Sequence, residues 1–128
     1  MPRVPVEVRL HRRSRVLELC YENGERHELS AEYLRVHSPS AEVRGHGPGE
    51  RKLQTGKKHV AIDRVEPVGH YALRLVFDDG HDTGIYTWAW LDELGREQDR
   101  YWAAYLEELE RANASRLPPL ATGQWSPR

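Results

Sequence analysis

The sequence predicts a small α+β domain of antiparallel β-hairpins, with a short helix after the first and a helical pair at the C-terminal end. Three observations carry that prediction. Tyr71, Leu73, Leu75 and Phe77 alternate with Ala72, Arg74, Val76 and Asp78, the period of a strand with one buried face. Asn23-Gly24 and Asp79-Gly80 each follow such an alternation, which predicts type I′ hairpin turns with positive φ at both central residues. Tyr101, Trp102, Tyr105, Leu106 and Leu109 recur at helical spacing on one stripe.

A chain of 128 residues has room for one modest core. Its 19 basic and 20 acidic residues leave a net charge of −1, so no overall field draws it to nucleic acid or an anionic membrane. Cys20 is the one cysteine, which excludes an intrachain disulfide and a Cys₄ zinc site. No apolar run reaches the length of a signal segment or a membrane span, and the expected location is cytoplasmic.

Taken in order, residues 1–5 read as a loose lead-in, 6–112 as the domain and 113–128, with its adjacent prolines, as a disordered tail. Val6, Val8 and Leu10 give a first strand, Val16 to Tyr21 a second and Arg26 to Leu29 a third. Ser30 is placed to cap a helix over Ala31 to Val36. Pro39 disfavours helix at Ser38, and residues 38–58 read as an irregular connection, most mobile over 45–49. Thr87 can cap a helix from Trp88 to Leu94, which Gly95 closes, and a longer helix runs from Glu97 to Ala112, with Glu107 and Arg111 paired on its wet side.

Leu17, Leu19, Tyr21 and Asn23-Gly24, then Leu29 and a helix, are echoed by Leu73, Leu75, Phe77 and Asp79-Gly80, then Ile85 and a helix. This predicts two strand–turn–strand–helix units, each burying the other's apolar face.

The stretch EPVGHYALRLVFDDGHDTGIYTWAWL, with LRVHSPSAEVRGHG before it, resembles the gamma-butyrobetaine hydroxylase-like N-terminal domain family, over most of residues 6–109. The resemblance implies a stand-alone bacterial form of a domain found elsewhere ahead of 2-oxoglutarate-dependent oxygenases or attached to iron–sulfur carrier ATPases. It also implies a zinc site, in which the histidine of the DGH element and three cysteines of a C-P-C-x-x-C motif are the ligands. Here His81 stands at the histidine, but Ser38, Ser40 and Val43 stand at the cysteines. Serine hydroxyls are poor zinc ligands and valine is none, so no cofactor is expected and the site reads as degenerate. The bland role for His81 is a turn histidine hydrogen-bonded to the 38–40 segment, and replacing such a residue costs less than about 1 kcal/mol.

A second reading is a zinc- or iron-binding domain using His81 with His37 or His46, which flank the altered motif together with Glu42. Gly45-His46-Gly47-Pro48-Gly49 lacks the strand and the GK[ST] of a phosphate loop. Cys20 has no histidine beside it, and Asp78, Asp79 and Asp82 crowd an exposed turn that gives no cause for a shifted pKa, so no enzyme is expected. Trp88 and Trp90 cannot both face one way on a helix, so either one lies near the surface as a contact residue or the two are simply partly buried. The reading is a non-catalytic accessory module whose working surface joins Ser38, Ser40, His81 and Tyr86, and whose partner is a protein, an oxygenase or iron–sulfur assembly protein by the resemblance.

Overall fold

In a computed structural model, which describes residues 2–45 and 51–119, two three-stranded antiparallel sheets carry four helices. The order is β1 (Glu7–His11), β2 (Val16–Cys20), β3 (Arg26–Ser30), α1 (Ala31–Val36), α2 (Ala41–Arg44), β4 (Ile62–Val68), β5 (Ala72–Phe77), β6 (Gly84–Thr87), α3 (Trp88–Arg96) and α4 (Gln98–Arg111). The sheets run β1-β2-β3 and β4-β5-β6. The α+β class stands.

Both hairpins are built alike, and neither is type I′. Only the glycines have positive φ, +88° at Gly24 and +91° at Gly80. Gly24 N–H donates to Tyr21 O and Tyr21 N–H to Glu25 O, just as Gly80 donates to Phe77 O and Phe77 to His81 O. That pattern is a three-residue loop closed by a glycine bulge. Asn23 and Asp79 accept from the N–H two residues on, each at 3.0 Å, and this side-chain turn lets them keep negative φ.

The two units interlock reciprocally. Ser30 and Thr87 cap α1 and α3 by accepting from Tyr33 N and Trp90 N. The Tyr33 hydroxyl of α1 donates to Leu94 O at the end of α3, and the Trp90 indole of α3 donates to His37 O at the end of α1. Tyr33 and Trp90 are 57 apart in sequence, as are His37 and Leu94. Leu17, Leu19, Leu29 and Leu34 of the first unit share one core with Leu73, Leu75, Phe77, Tyr86 and Leu91 of the second. Up to the loops the spacing is 56, so the second unit carries one extra residue. Leu29 therefore matches Tyr86, not Ile85: Leu17 pairs with Leu29 and Leu73 with Tyr86, while Ile85 is 41% exposed.

Several local expectations change. Strand β4 was hidden by its polar residues and Pro67, which an edge strand tolerates. The short helix α2 interrupts the connection read as irregular, capped by Ser40. Tyr71 is 59% exposed, because it precedes the first β5 bridge. Gly95 does not close α3, which continues to Arg96, and Leu106 is 40% exposed. Both tryptophans are partly buried, with Trp88 Nε1 donating to His70 O.

The tail expectation is corrected over residues 113–119. Gly56 N–H donates to Ser115 O, Lys58 N–H to Arg116 O, and the Arg116 guanidinium grips Glu32 at 2.8 and 2.7 Å. Residues 120–128 lie outside the described residues, as do 46–49 of the 45–49 segment expected to be mobile.

Candidate functional site

The sequence puts His81 directly after a tight loop, and the extra residue of the second unit falls right behind it. Glu25 and His81 hold the same place in the two loops, but two residues separate His81 from Gly84 where one separates Glu25 from His27. One residue added to a strand reverses which side chains face inward. Accordingly Glu25 is exposed, whereas His81 is 5% exposed.

Facing it is the turn between α1 and α2. Ser38 Oγ lies 2.8 Å from His81 Nε2, and Glu42 Oε2 lies 3.2 Å from Nδ1. A carboxylate only accepts, so Nδ1 carries the proton and the Ser38 hydroxyl donates to Nε2. Ser38 Oγ also accepts from Ser40 N, Ser40 Oγ bonds Thr83 Oγ1 at 2.6 Å, and Thr83 donates to Glu42 Oε1. Five side chains thereby clasp the α1–α2 turn to the second hairpin. Gly84 lies beneath, where a Cβ would come within 2.7 Å of Ser38 Oγ.

A second layer pins the loop itself. Asp79 Oδ2 accepts from Arg35 Nε at 2.9 Å and from Lys57 Nζ at 2.6 Å, while Oδ1 takes His81 N–H. Burial pushes the Asp79 carboxyl up, but the Lys57, His81 and Arg35 contacts outweigh it and hold the pKa at about 2.

Three of the four side chains expected to form a working surface, Ser38, Ser40 and His81, are in the clasp and Tyr86 lies beside it, but none is a surface group. Ser38 is 1% exposed and Ser40 7%, and Tyr86 is fully enclosed, its hydroxyl donating to Leu34 O. Tight packing between the two units closes over them. Sequence reasoning passed over Thr83 and Arg35 and weighed Glu42 only as a metal ligand. The signal for Glu42 was available in Ser40-Ala41-Glu42, a capping serine followed by an acid in the first turn.

Serine, histidine and a carboxylate in this order make the geometry of an activated nucleophile. Here the oxygen that would attack is buried, already accepts a backbone bond, and has Gly84 packed against it. Nor do the residues fit zinc. Both ring nitrogens of His81 are engaged, Ser38 and Ser40 offer neutral hydroxyls, and Val43, 1% exposed, offers no donor. His37 is not brought to His81. Its Nδ1 bonds Tyr33 O and its ring stacks on Tyr101, 5.8 Å between centroids. Among the described residues no three His, Cys, Asp or Glu side chains are grouped to hold a metal, and His46 lies outside them.

Residues 8–92 match the model of the family described as gamma-butyrobetaine hydroxylase-like, N-terminal. The chain belongs to that family. Two domains solved in solution by NMR are similar to this gamma-butyrobetaine hydroxylase-like domain over nearly their whole length. One is 48% identical over 98% of both chains with a TM-score of 0.82, and the other 46% identical over 100% of this chain and 95% of its own, at 0.78. A crystal structure from Acidithiobacillus ferrooxidans ATCC 23270, of a DUF971-family protein with unknown function, is 43% identical over 71% of this chain and 91% of its own, at 0.60. No curated protein matches. Among the described residues no helix is long and apolar enough to cross a membrane.

The clasp predicts a pH dependence. Burial, with the Arg35 charge added, holds the His81 pKa below the ordinary imidazole value against Glu42 and Asp79, and burial also lowers His37. Unfolded histidines titrate near pH 6.5, so below about that pH the unfolded chain binds more protons and stability falls until the folded rings titrate. NMR titration should find both rings neutral at pH 6.5, with denaturant melts weakening from pH 7 towards pH 5. Ring pKa values at or above 6.5 would contradict this assignment.

Proposed function

We propose that this domain is a non-catalytic accessory module that binds a protein partner, with the Ser38–His81–Glu42 clasp standing in for the zinc site that the family resemblance implies. The observation that carries the reading is the enclosure of Ser38: among the described residues, this hydroxyl with a base and a carboxylate behind it is 1% exposed. A hydrogen-bonded clasp holds two chain segments together, which is the task of a structural zinc ion, without thiolates. The partner proposed from the resemblance is an oxygenase or an iron–sulfur assembly protein.

A fluorophosphonate probe, which labels activated serines, tests the non-catalytic half. Intact-mass analysis should find no adduct on the full chain. Labelling that disappears in Ser38→Ala would make the site a hydrolase centre. Elemental analysis of protein purified without a metal-affinity tag tests the other half. No stoichiometric zinc or iron is expected, and about one metal per chain, lost in His81→Ala, would overturn the metal-free clasp.

A further inference from the structure

Away from the clasp, two clefts meet along one wall. The first, about 330 Å³, lies between the β1–β2 turn, the start of α1 and Trp102 of α4, with Arg15, Lys58 and His59 on its rim. The second, about 510 Å³, lies between α4 and the docked 113–117 segment, with Leu106 and Leu117 on its rim. Lys58 and Arg116 border both, so the two adjoin as one groove, with a basic half and a mixed half in which Leu106 and Leu117 lie beside Glu110 and Asn113.

Charge in the basic half is not balanced internally. Glu32 is already held by both arms of Arg116, which also stacks over Trp102 at 5.1 Å. Arg15 and Lys58 are exposed and make no ion pair among the described residues, and Arg12 and Arg13 lie exposed in the same turn as Arg15. In the other half Leu106 is 40% exposed and Leu117 55%, two of the few large apolar side chains left open to water. Apolar side chains gathered at a cleft beside unpaired charge mark a contact site more than scattered ones do.

We infer that this groove binds an extended peptide segment of a partner protein in which an aspartate or glutamate lies next to an aliphatic residue. The inference rests on the interaction reading above and names its surface. The acid pairs with Lys58 and Arg15, and the aliphatic side chain covers Leu106 and Leu117. Attraction of this kind speeds encounter and sets register, while the buried apolar contact holds the complex. A polyanion such as nucleic acid would satisfy the basic half and leave the leucines uncovered.

The test is selection of displayed random peptides against the full chain, followed by anisotropy titrations of the selected sequences. Asp or Glu beside Leu, Ile or Val should be enriched. Binding should weaken about tenfold or more in Lys58→Glu and in Leu106→Lys at unchanged melting temperature, and should weaken with salt. Selected peptides without an acid, or affinities that neither variant alters, would overturn the groove while leaving the interaction reading intact, since the domain would still bind peptide elsewhere. Selection of no peptide also overturns the groove, and so does equal competition by a thymidine oligonucleotide. Binding that emerges only after removal of residues 120–128 would assign the groove to the chain's own tail.

Discussion

Gly95→Ala is expected to destabilise the domain by about 3 kcal/mol, the upper range for forced overpacking. The sign is the informative part, because alanine in a helix interior is worth about 1 kcal/mol more than glycine. At this position a Cβ would lie 2.2 Å from Cγ of His27 and 2.3 Å from its Cδ2. The ring has little room to retreat. Its Nε2 bonds Asp92 Oδ1 at 3.0 Å, it packs edge-to-face with Tyr21 at 5.3 Å between centroids, and Asp92 also anchors Arg3 and Arg96. Gly95 marks where α3 crosses the third strand of the other unit, as Ser38 after α1 crosses Gly84 of the second. At each crossing one partner is glycine. Denaturant melts of Gly95→Ala, His27→Ala and the double variant would check the cause: in the His27→Ala background the added methyl should cost nothing. A Gly95→Ala protein that melts at or above the parent temperature would refute the close approach.

His81→Ala is expected to cost about 3 kcal/mol, well beyond the figure of under about 1 kcal/mol that a turn-side histidine predicts. The correction follows from burial. Removing a ring that is 5% exposed leaves a void beside Phe77, and it takes from the Ser38 hydroxyl its acceptor and from Glu42 its donor. The backbone of the loop should survive, since its bonds run through Asp79, Gly80 and the His81 amide. The measurable pattern is a large loss in denaturant stability with circular dichroism unchanged at low temperature. A loss under about 1 kcal/mol would return His81 to the surface role and remove the clasp as a structural element.

Much of the fold was legible because it is local. The strands on either side of Asn23-Gly24, the helix Ala31–Val36 and the caps at Ser30 and Thr87 depend on residues within a few positions of one another, and the sequence patterns state those dependencies directly. The echo between the units was legible too, though not its slip by one residue behind His81, since only the strand register shows which residue is extra. Strand β4 was lost because an edge strand with one bulge and a proline has no clean alternation to read. Gly95 looked like a helix end because the sequence shows the missing side chain and not the histidine ring that occupies its place. His81, Ser38 and Ser40 could be named as belonging together, but whether they formed a surface, a metal site or an enclosed clasp depended on partners far along the chain. Ser38 and His81 are 43 residues apart, and Arg116 and Glu32 84 apart. Local spacing determines what a segment can become. Burial, and with it the chemistry left to each side chain, is decided by what the other unit packs against it.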